Sequence, residues 1–118
     1  MDSLVSTRWL AENLGAADLR IVDATQFLPD AGRDAAAEYE AAHIPGAVFM
    51  DLAGLADTNS PYPSTLPKPE KFASRMQSLG LGDGSRIVLY DNAPHKTAAR
   101  AWWMLSQVFG AHGVAILD

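Results

Sequence analysis

The stretch from Ile87 to Leu105 reads IVLYDNAPHKTAARAWWML and predicts a strand, a polar loop and a helix. Ile87–Tyr90 is a short apolar, partly β-branched run of the kind that forms a buried strand. Asp91 ends that run, and the loop after it is broken by Pro94. From Thr97, apolar residues recur at steps of three and four, as in a helix packed on a sheet. They are Ala98, Ala101, Trp102, Leu105 and Val108. The loop after Asp91 is therefore expected at the carboxyl end of a strand, where ligands of open α/β sheets collect.

Length and composition predict one soluble domain. The chain has 118 residues, of which 48% are hydrophobic and 19% are charged, which is ordinary for a globular protein. Its net charge of −5 argues against a surface that binds nucleic acid or acidic membranes. No apolar run approaches the roughly 18 residues of a membrane helix, and the N-terminus lacks the apolar core of a signal peptide. We expect a cytoplasmic protein.

The chain contains no cysteine, which removes several kinds of chemistry from consideration. Without a thiol, this chain cannot form a disulfide, a thiolate metal site or a persulfide. The three histidines, His43, His95 and His112, are scattered and lack the spacing of metal ligands. We therefore predict neither a metal site nor a cofactor.

The rest of the chain alternates between predicted strands and helices. Alternation of this kind is typical of an α/β domain with a mainly parallel sheet and helices on both faces. The residues expected on its central strands are Ile21, Val22, Val48, Phe49, Val88, Leu89 and Ile116, with Trp102, Leu105 and Phe72 packed against them. A last strand without a helix to cover it predicts that the sequence continues beyond Asp118. The predicted elements are a helix through Asn13 capped by Ser6 or Thr7, a strand at Leu19–Val22, a helix at Ala35–Ala42 capped by Asp34, a strand at Val48–Met50, a helical turn from Asp51 to Leu55, an irregular segment at Asp57–Lys68, a helix from Pro69 and a strand at Val114–Leu117.

Three polar residues outside the central loop have both a structural and a functional interpretation. Asp23 ends a strand as Asp91 does, so the two carboxylates are expected on the same rim of the sheet, and an Asx-type turn is the favoured role for Asp23. Arg33 is expected to form a surface ion pair with Asp30, Asp34 or Glu38, unless its loop folds over a pocket. His43, beside the rigid corner of Pro45 and Gly46, is expected to be a hydrogen-bonded brace rather than a catalyst.

Nine segments together resemble one known family and cover nearly the whole chain in that family's order. They are Ile21–Ala24, Glu38–Tyr39, His43–Ala47, Phe49–Asp51, Ser60–Tyr62, Leu66–Pro67, Val88–Asp91, Ala98–Met104 and Phe109–Gly110. This set resembles the rhodanese fold, and more closely the N-terminal half of tandem-domain thiosulfate and 3-mercaptopyruvate sulfurtransferases. The resemblance implies a three-layer, rhodanese-like α/β domain over residues 1–118, truncated after its last strand and forming the N-terminal part of a two-domain chain.

The resemblance also implies roles for residues of the central loop. In that family the loop after the central strand holds a cysteine that carries sulfur as a persulfide. The non-catalytic N-terminal half usually has aspartate there, as Asp91 is here. No residue of this chain is then catalytic, and the candidates for the loop and the interdomain pocket are Asp91, Asn92, His95, Lys96, Arg100 and Arg33.

Four positions depart from the family pattern. Ala53 and Ser64 stand where the mercaptopyruvate branch often has an acidic residue and a histidine, so a proton relay from this half is not supported. Lys96 and Gln26 stand where aromatic residues are common. These departures bear on the choice of substrate and leave the fold expectation unchanged.

Three functions are compatible with the sequence. The first is the non-catalytic domain of a sulfurtransferase, inert alone, with a second rhodanese domain as its partner and a small sulfur donor at their interface. The second is a stand-alone binding or regulatory module. The third is phosphoryl transfer through Asp91, which Ala93 argues against, because aspartyl-phosphate enzymes have a second carboxylate at that position.

The Asp91 carboxylate itself has two interpretations. We expect it to accept backbone N–H groups from the loop and from the start of the following helix, which carries partial positive charge. The alternative is a simple turn former that points into solvent. Lys96 and Arg100 add positive charge nearby, and either could instead face the partner domain.

Overall fold

The computed structural model describes residues 1–62 and 64–118. It is an α/β domain in which five parallel strands form one sheet. Along the chain the elements are β1 (Leu4–Val5), α1 (Thr7–Asn13), β2 (Leu19–Asp23), α2 (Ala35–Ala41), β3 (Val48–Phe49), α3 (Leu52–Leu55), α4 (Pro69–Ser78), β4 (Arg86–Tyr90), α5 (Thr97–Trp102), a π-helical segment (Trp103–Val108) and β5 (Val114–Leu117). The strand order is β1-β5-β4-β2-β3, so the predicted fold class is confirmed.

The longest pairing joins β2 and β4 at the middle of the sheet. Leu19 pairs with Arg86 at one end of these strands, and Asp23 pairs with Tyr90 at the other. Because the strands are parallel, their carboxyl ends meet at one edge of the sheet. This register places Asp23 and Asp91 on the same rim, as the sequence predicted.

Side chains alternate between the two faces of the sheet and form a separate apolar core on each. On β4, Ile87 and Leu89 face α3, α4 and α5, whereas Val88 and Tyr90 face α1 and the side of α2. Val88 and Leu89 are completely buried, as parallel strands require. The domain therefore has three layers, with helices on both sides of the sheet. Trp102, Leu105 and Phe72 pack on the first face, as predicted.

Local capping signals explain where three helices begin. Ser6 Oγ accepts the Trp9 N–H at 3.0 Å at the start of α1. Asp34 Oδ1 accepts the Ala37 N–H at 3.1 Å, and Asp51 Oδ1 accepts the Gly54 N–H at 3.1 Å. Each of these side chains satisfies a backbone donor that has no partner inside its helix, which is why the sequence located these starts correctly.

Some predicted details of the strands and helices were wrong. Val48 and Phe49 were expected on a central strand, but β3 lies at the edge of the sheet and both residues are only partly buried. β3 ends at Phe49 rather than Met50, and α2 ends at Ala41 rather than Ala42. β1 was not predicted, because two residues carry too little periodicity to detect.

The helix after the central loop changes its winding at Trp103. The Phe109 N–H donates to the Met104 carbonyl, five residues back, at 3.1 Å, which is the π-helical spacing. The wider turn moves Val108 out of the predicted apolar stripe, and Val108 is exposed. Met104 is buried instead, so the expected stripe was correct only as far as Leu105.

The predicted irregular segment at 57–68 includes Pro63, which lies outside the described residues. On either side of it, the Asp57 N–H donates to the Thr65 carbonyl at 2.8 Å, and Thr65 Oγ1 donates to Ser60 Oγ at 2.8 Å. These bonds hold Ser64 and Thr65 beside the start of α5, where both border a cleft. Within residues 1–62 and 64–118, no helix is long and apolar enough to cross a membrane.

Candidate functional site

The Asp91 carboxylate binds the backbone of its own loop with both oxygens. Oδ1 accepts the Ala93 N–H at 3.0 Å, and Oδ2 accepts the Ala98 N–H in the first turn of α5 at 2.7 Å. The side chain is partly buried, so these bonds are only partly exposed to competing water. The expectation that this carboxylate accepts donors of the loop and helix start is confirmed.

Other N–H groups of this loop also have internal partners. The Asn92 N–H donates to Thr25 Oγ1 at 3.0 Å, and the Lys96 N–H donates to the Ala93 carbonyl at 3.3 Å. Pro94 has no N–H to offer. The loop thus directs several of its backbone donors toward groups of this chain, and the strongest of those acceptors is the Asp91 carboxylate.

A buried hydroxyl connects this loop to the end of β2. Thr25 Oγ1 donates to Asp23 Oδ1 at 2.6 Å, and the Thr25 N–H donates to the same oxygen at 3.0 Å. The second bond spans two residues and confirms the Asx-type turn expected of Asp23. Asp23 is 3% exposed, so this carboxylate supports the site from within rather than meeting a ligand.

Thr97 fixes the start of α5 against the same segment. Its Oγ1 donates to the Ala24 carbonyl at 2.7 Å and accepts the Gln26 N–H at 3.1 Å. Sequence reasoning missed Thr25 and Thr97 as members of the site. Both residues could have been found from their positions in the sequence. Thr25 lies two residues after the strand-end Asp23, and Thr97 is the first residue of α5. Hydroxyl side chains at such positions commonly form hydrogen bonds with backbone groups.

The corner before β3 braces the other face of the sheet. His43 Nδ1 donates to the Tyr39 carbonyl at 2.7 Å, and the two rings stack with centroids 4.1 Å apart. The brace expected of His43 is confirmed. The Ile44 N–H donates to the Tyr90 hydroxyl at 3.3 Å, and burial raises the pKa of that hydroxyl above its usual 10.0.

A cleft of about 780 Å³ lies beside the central loop and collects three of the candidate residues. His95, Lys96 and Arg100 line one side of it. Its other walls come from the segment after β2, from α3 and from the loop before α4. The lining residues there are Gln26, Phe27, Leu28, Pro29, Leu52, Ala56, Ser64 and Thr65.

The cleft does not include every predicted candidate. Asp91 and Asn92 lie next to it, and neither lines it. Arg33 forms a two-bond ion pair with Glu38, at 3.0 and 2.7 Å, and stacks 4.0 Å from the centre of the Phe27 ring. Glu38 was among the expected surface partners, and the hydrogen bond from Arg33 lowers the Glu38 pKa below its ordinary value.

Arg100 is held against the wall of the cleft. Its Nη2 donates to the Ser64 carbonyl at 2.7 Å, and its guanidinium lies 5.1 Å from the centre of the Trp103 ring. The Lys96 side chain is exposed at the edge of the cleft. In this part of the molecule the structure therefore combines an apolar floor with cationic side chains.

A smaller cavity of about 380 Å³ lies at the opposite end of the sheet. It is lined by Ile87, at the start of β4, and by the stacked rings of Phe72 and Phe109, whose centroids are 3.8 Å apart. Ligands of parallel sheets bind at the carboxyl ends of the strands, so the cleft beside Lys96 is the better candidate site.

Comparisons with known proteins agree with this architecture. Residues 6–118 match the family model for the rhodanese-like domain. The chain is 43% identical to human 3-mercaptopyruvate sulfurtransferase over 98% of its own length, which is 41% of that protein. It is 42% identical to a mitochondrial thiosulfate/3-mercaptopyruvate sulfurtransferase of Arabidopsis thaliana, covering 99% of this chain and 31% of the relative.

A solved structure of a related protein has the same fold. The crystal structure of SseA, a 3-mercaptopyruvate sulfotransferase of Escherichia coli, superposes with a TM-score of 0.91 and is 41% identical. The match covers all of this chain and 45% of that one, so the chain spans less than half the length of these relatives. The match to the family model over nearly the full sequence, together with the fold, shows that the chain belongs to the rhodanese-like domain family.

Proposed function

We propose that this chain is the non-catalytic N-terminal domain of a two-domain sulfurtransferase that takes sulfur from thiosulfate or 3-mercaptopyruvate. The relatives carry these activities in their names, and the chain aligns with only a part of each. A second rhodanese domain would supply the reactive cysteine, and this domain would form one wall of the active site between them. The sulfur donor would then bind at that interface.

The observation that carries the proposal is Asp91 at the end of the central strand. Sulfane sulfur transfer needs a thiolate that attacks sulfur and forms an S–S bond. A carboxylate does not form such a bond, and both oxygens of Asp91 already accept backbone N–H groups. With no cysteine elsewhere in its sequence, the chain by itself has no group that can carry the sulfur.

The cleft beside the loop supports the role of an active-site wall. It opens at the carboxyl edge of the sheet, and its apolar lining and cationic side chains suit a small anionic substrate. Leu28 borders the cleft and is largely exposed, and Trp103, which stacks on Arg100, is also exposed. Exposed apolar residues beside an apolar cleft with charged groups at its edge are typical of a surface that another domain covers.

The first experiment measures sulfur transfer by the purified chain. We expect no thiocyanate from thiosulfate and cyanide, and no sulfur release from 3-mercaptopyruvate, above the rate without protein. A matched preparation of Asp91→Ala is the control for contaminating enzymes. Activity that survives purification and is lost in Asp91→Ala would refute the proposal that this domain is inert.

The second experiment separates the proposal from the alternative of a stand-alone binding module. The intact mass of the native protein and its downstream sequence show whether a cysteine-bearing rhodanese domain follows Asp118. A native polypeptide that ends at this position would favour the binding module. Both oxygens of Asp91 being engaged also argues against the phosphotransferase alternative, which needs that carboxylate free to attack.

The cellular location is part of the same proposal. We propose the cytoplasm as that location. One relative is mitochondrial by name, so cell fractionation with an antibody against the native protein is the test.

A further inference from the structure

The cavity at the amino ends of the strands is separate from the cleft beside the central loop. Its volume is about 380 Å³, and none of its described lining residues also lines that cleft. Pockets that hold small molecules range from roughly 300 to 1,000 Å³. The cavity is therefore large enough for a small molecule, and the proposed role of the chain in sulfur transfer does not use it.

Apolar side chains from several parts of the fold line the inside of this cavity. Phe72 of α4 and Phe109 stack with their ring planes 10° apart and their centroids 3.8 Å apart. Both residues remain partly exposed, so their rings can contact a ligand as well as each other. The buried residues of the lining are Met76, Leu81, Ile87 and Leu105. A flat aromatic group matches such a lining.

The end of the π-helical segment forms one wall of the cavity. The Phe109 N–H donates to the Met104 carbonyl at 3.1 Å. The Ala111 N–H donates to the Leu105 carbonyl at 2.8 Å. These bonds fix the stretch in which Phe109, Gly110 and Ala111 border the cavity. Because π-helical turns are rare and often occur at functional sites, this one is a second indication that the cavity binds a ligand.

The charge at the mouth of the cavity is negative. Asp83 is the only aspartate, glutamate, lysine or arginine among its described lining residues. Asp83 is exposed and forms no salt bridge with any described residue. Arg86, three positions later, is already paired with Asp18 at 2.7 Å. A carboxylate beside an apolar cavity raises the local concentration of cations, and the net charge of −5 on the chain acts in the same direction.

Two helical segments end at this cavity and make its potential more negative. α4 ends at Ser78, and the π-helical segment ends at Val108, directly before Phe109. The backbone carbonyls at the C-terminal end of a helix carry partial negative charge, equivalent to about half an elementary charge. The helices of this fold that follow a strand begin at the opposite edge of the sheet, where the polarity is reversed. A cationic group is therefore favoured at the amino ends of the strands.

We propose that this cavity binds a small aromatic amine. Its ring would pack on Phe72 and Phe109, and its ammonium group would lie beside Asp83 at the mouth. The ring matches the apolar lining, and the ammonium group supplies the positive charge that the lining lacks. The inference goes beyond the proposed function, because this binding requires neither sulfur transfer nor a second domain.

The test is a titration of the 118-residue chain with tryptamine, followed by amide NMR shifts at constant ionic strength. The titration is run near pH 8, where the amine is protonated and histidine side chains are normally neutral. We expect saturable shifts at Leu81, Asp83, Phe109 and Ala111. Two other probes keep the ring and change the charge. 3-Methylindole, which has no amine, should bind about fivefold more weakly, the upper range for a solvent-exposed ion pair. Indole-3-propionate, with a carboxylate in place of the ammonium group, should bind more weakly still.

Two variants with matched controls separate the contribution of the charge from that of the cavity. Asp83→Ser should bind tryptamine as weakly as the parent binds 3-methylindole. Asp30→Ser removes another exposed carboxylate, between β2 and α2, and should bind as the parent does. Ala73→Leu fills the cavity from an exposed position on α4 and should abolish the shifts. Ser74→Leu adds the same side chain one position later, outside the described lining, and should leave binding unchanged. The amide spectrum itself shows whether each variant is folded.

The possible results support or overturn the proposal directly. Shifts confined to the cavity that are weakened by Asp83→Ser and lost in Ala73→Leu would support it. Absence of saturable shifts with tryptamine, or full binding by a folded Ala73→Leu variant, would overturn the site. Equal affinity for tryptamine and indole-3-propionate would overturn the assignment to an amine. None of these results affects the proposed function, which fails instead if the chain transfers sulfur alone or if the native protein has no cysteine-bearing domain.

Discussion

The Asp91→Asn substitution removes the negative charge from the central loop and keeps the size of the side chain. An amide has one acceptor oxygen and an NH₂ group that only donates. It can therefore accept either the Ala93 N–H or the Ala98 N–H, and the other donor then faces the NH₂ group. Ala98 is 1% exposed, so water cannot easily replace a bond lost there.

The loss of folding stability expected for Asp91→Asn follows from these two hydrogen bonds. A hydrogen bond to a charged group contributes roughly 1.5–3 kcal/mol to stability, and a buried donor without a partner costs about 1–3 kcal/mol. Asp91 is only partly buried, so we take a value toward the low end, about 2 kcal/mol. For a chain of 118 residues this corresponds to a melting temperature lower by roughly 6–10 °C.

The assay is urea unfolding of the two proteins near neutral pH. Asp57→Asn is the matched control. Asp57 is also partly buried, but it accepts one N–H, from Asn59 at 3.1 Å, and an amide oxygen can keep that bond. Equal stability of parent and Asp91→Asn at neutral pH would leave Asp91 as a turn former only.

Two further predictions concern the hydrogen bonds that support the site and the pH dependence of stability. Thr97→Val should lower the free energy of unfolding by about 2 kcal/mol, because it removes both the donor to Ala24 and the acceptor for Gln26. Thr97→Ser, which keeps the hydroxyl, should lose clearly less, and an equal loss would contradict the hydrogen-bond argument. Asp18→Asn should lower the urea midpoint at pH 7, since the hydrogen bond from Arg86 holds the Asp18 pKa below its ordinary 3.8 in the folded state. That contribution exists above the ordinary pKa and is lost as the pH falls through the lowered folded value, so the two midpoints should converge in strong acid. A constant gap across that range would refute it.

What the sequence predicted well depends on neighbours along the chain. The caps formed by Ser6, Asp34 and Asp51 each use an N–H three residues away. The contact between Asp91 and Ala98 was also predictable, because strand, loop and helix follow one another without interruption. These hydrogen bonds join residues close together in the chain, so the residue types at neighbouring positions are enough to predict them.

What the sequence did not show depends on pairings across the fold. The bonds from Thr25 to Asn92 and from Thr97 to Ala24 and Gln26 join residues between 67 and 73 positions apart. A local pattern can mark these hydroxyl groups as candidates, but it does not show which distant residues they bind. β3 lies at the edge because of the order in which the chain places its strands in the sheet. The residues of β3 themselves do not indicate that order. The π-helical segment from Trp103 has apolar spacing equally consistent with an α-helix, and only the bond between Phe109 and Met104 distinguishes the two.

The roles of Asp91 and Lys96 follow from where each charge finds its counterpart. The Asp91 carboxylate is balanced by N–H groups two and seven positions further along its own chain. It therefore does not use Lys96 as a counter-ion, and the ammonium group is left exposed at the edge of the cleft. With a cysteine at this position, the Ala93 and Ala98 N–H groups would be free to stabilise a persulfide, whereas the Asp91 carboxylate occupies both of them.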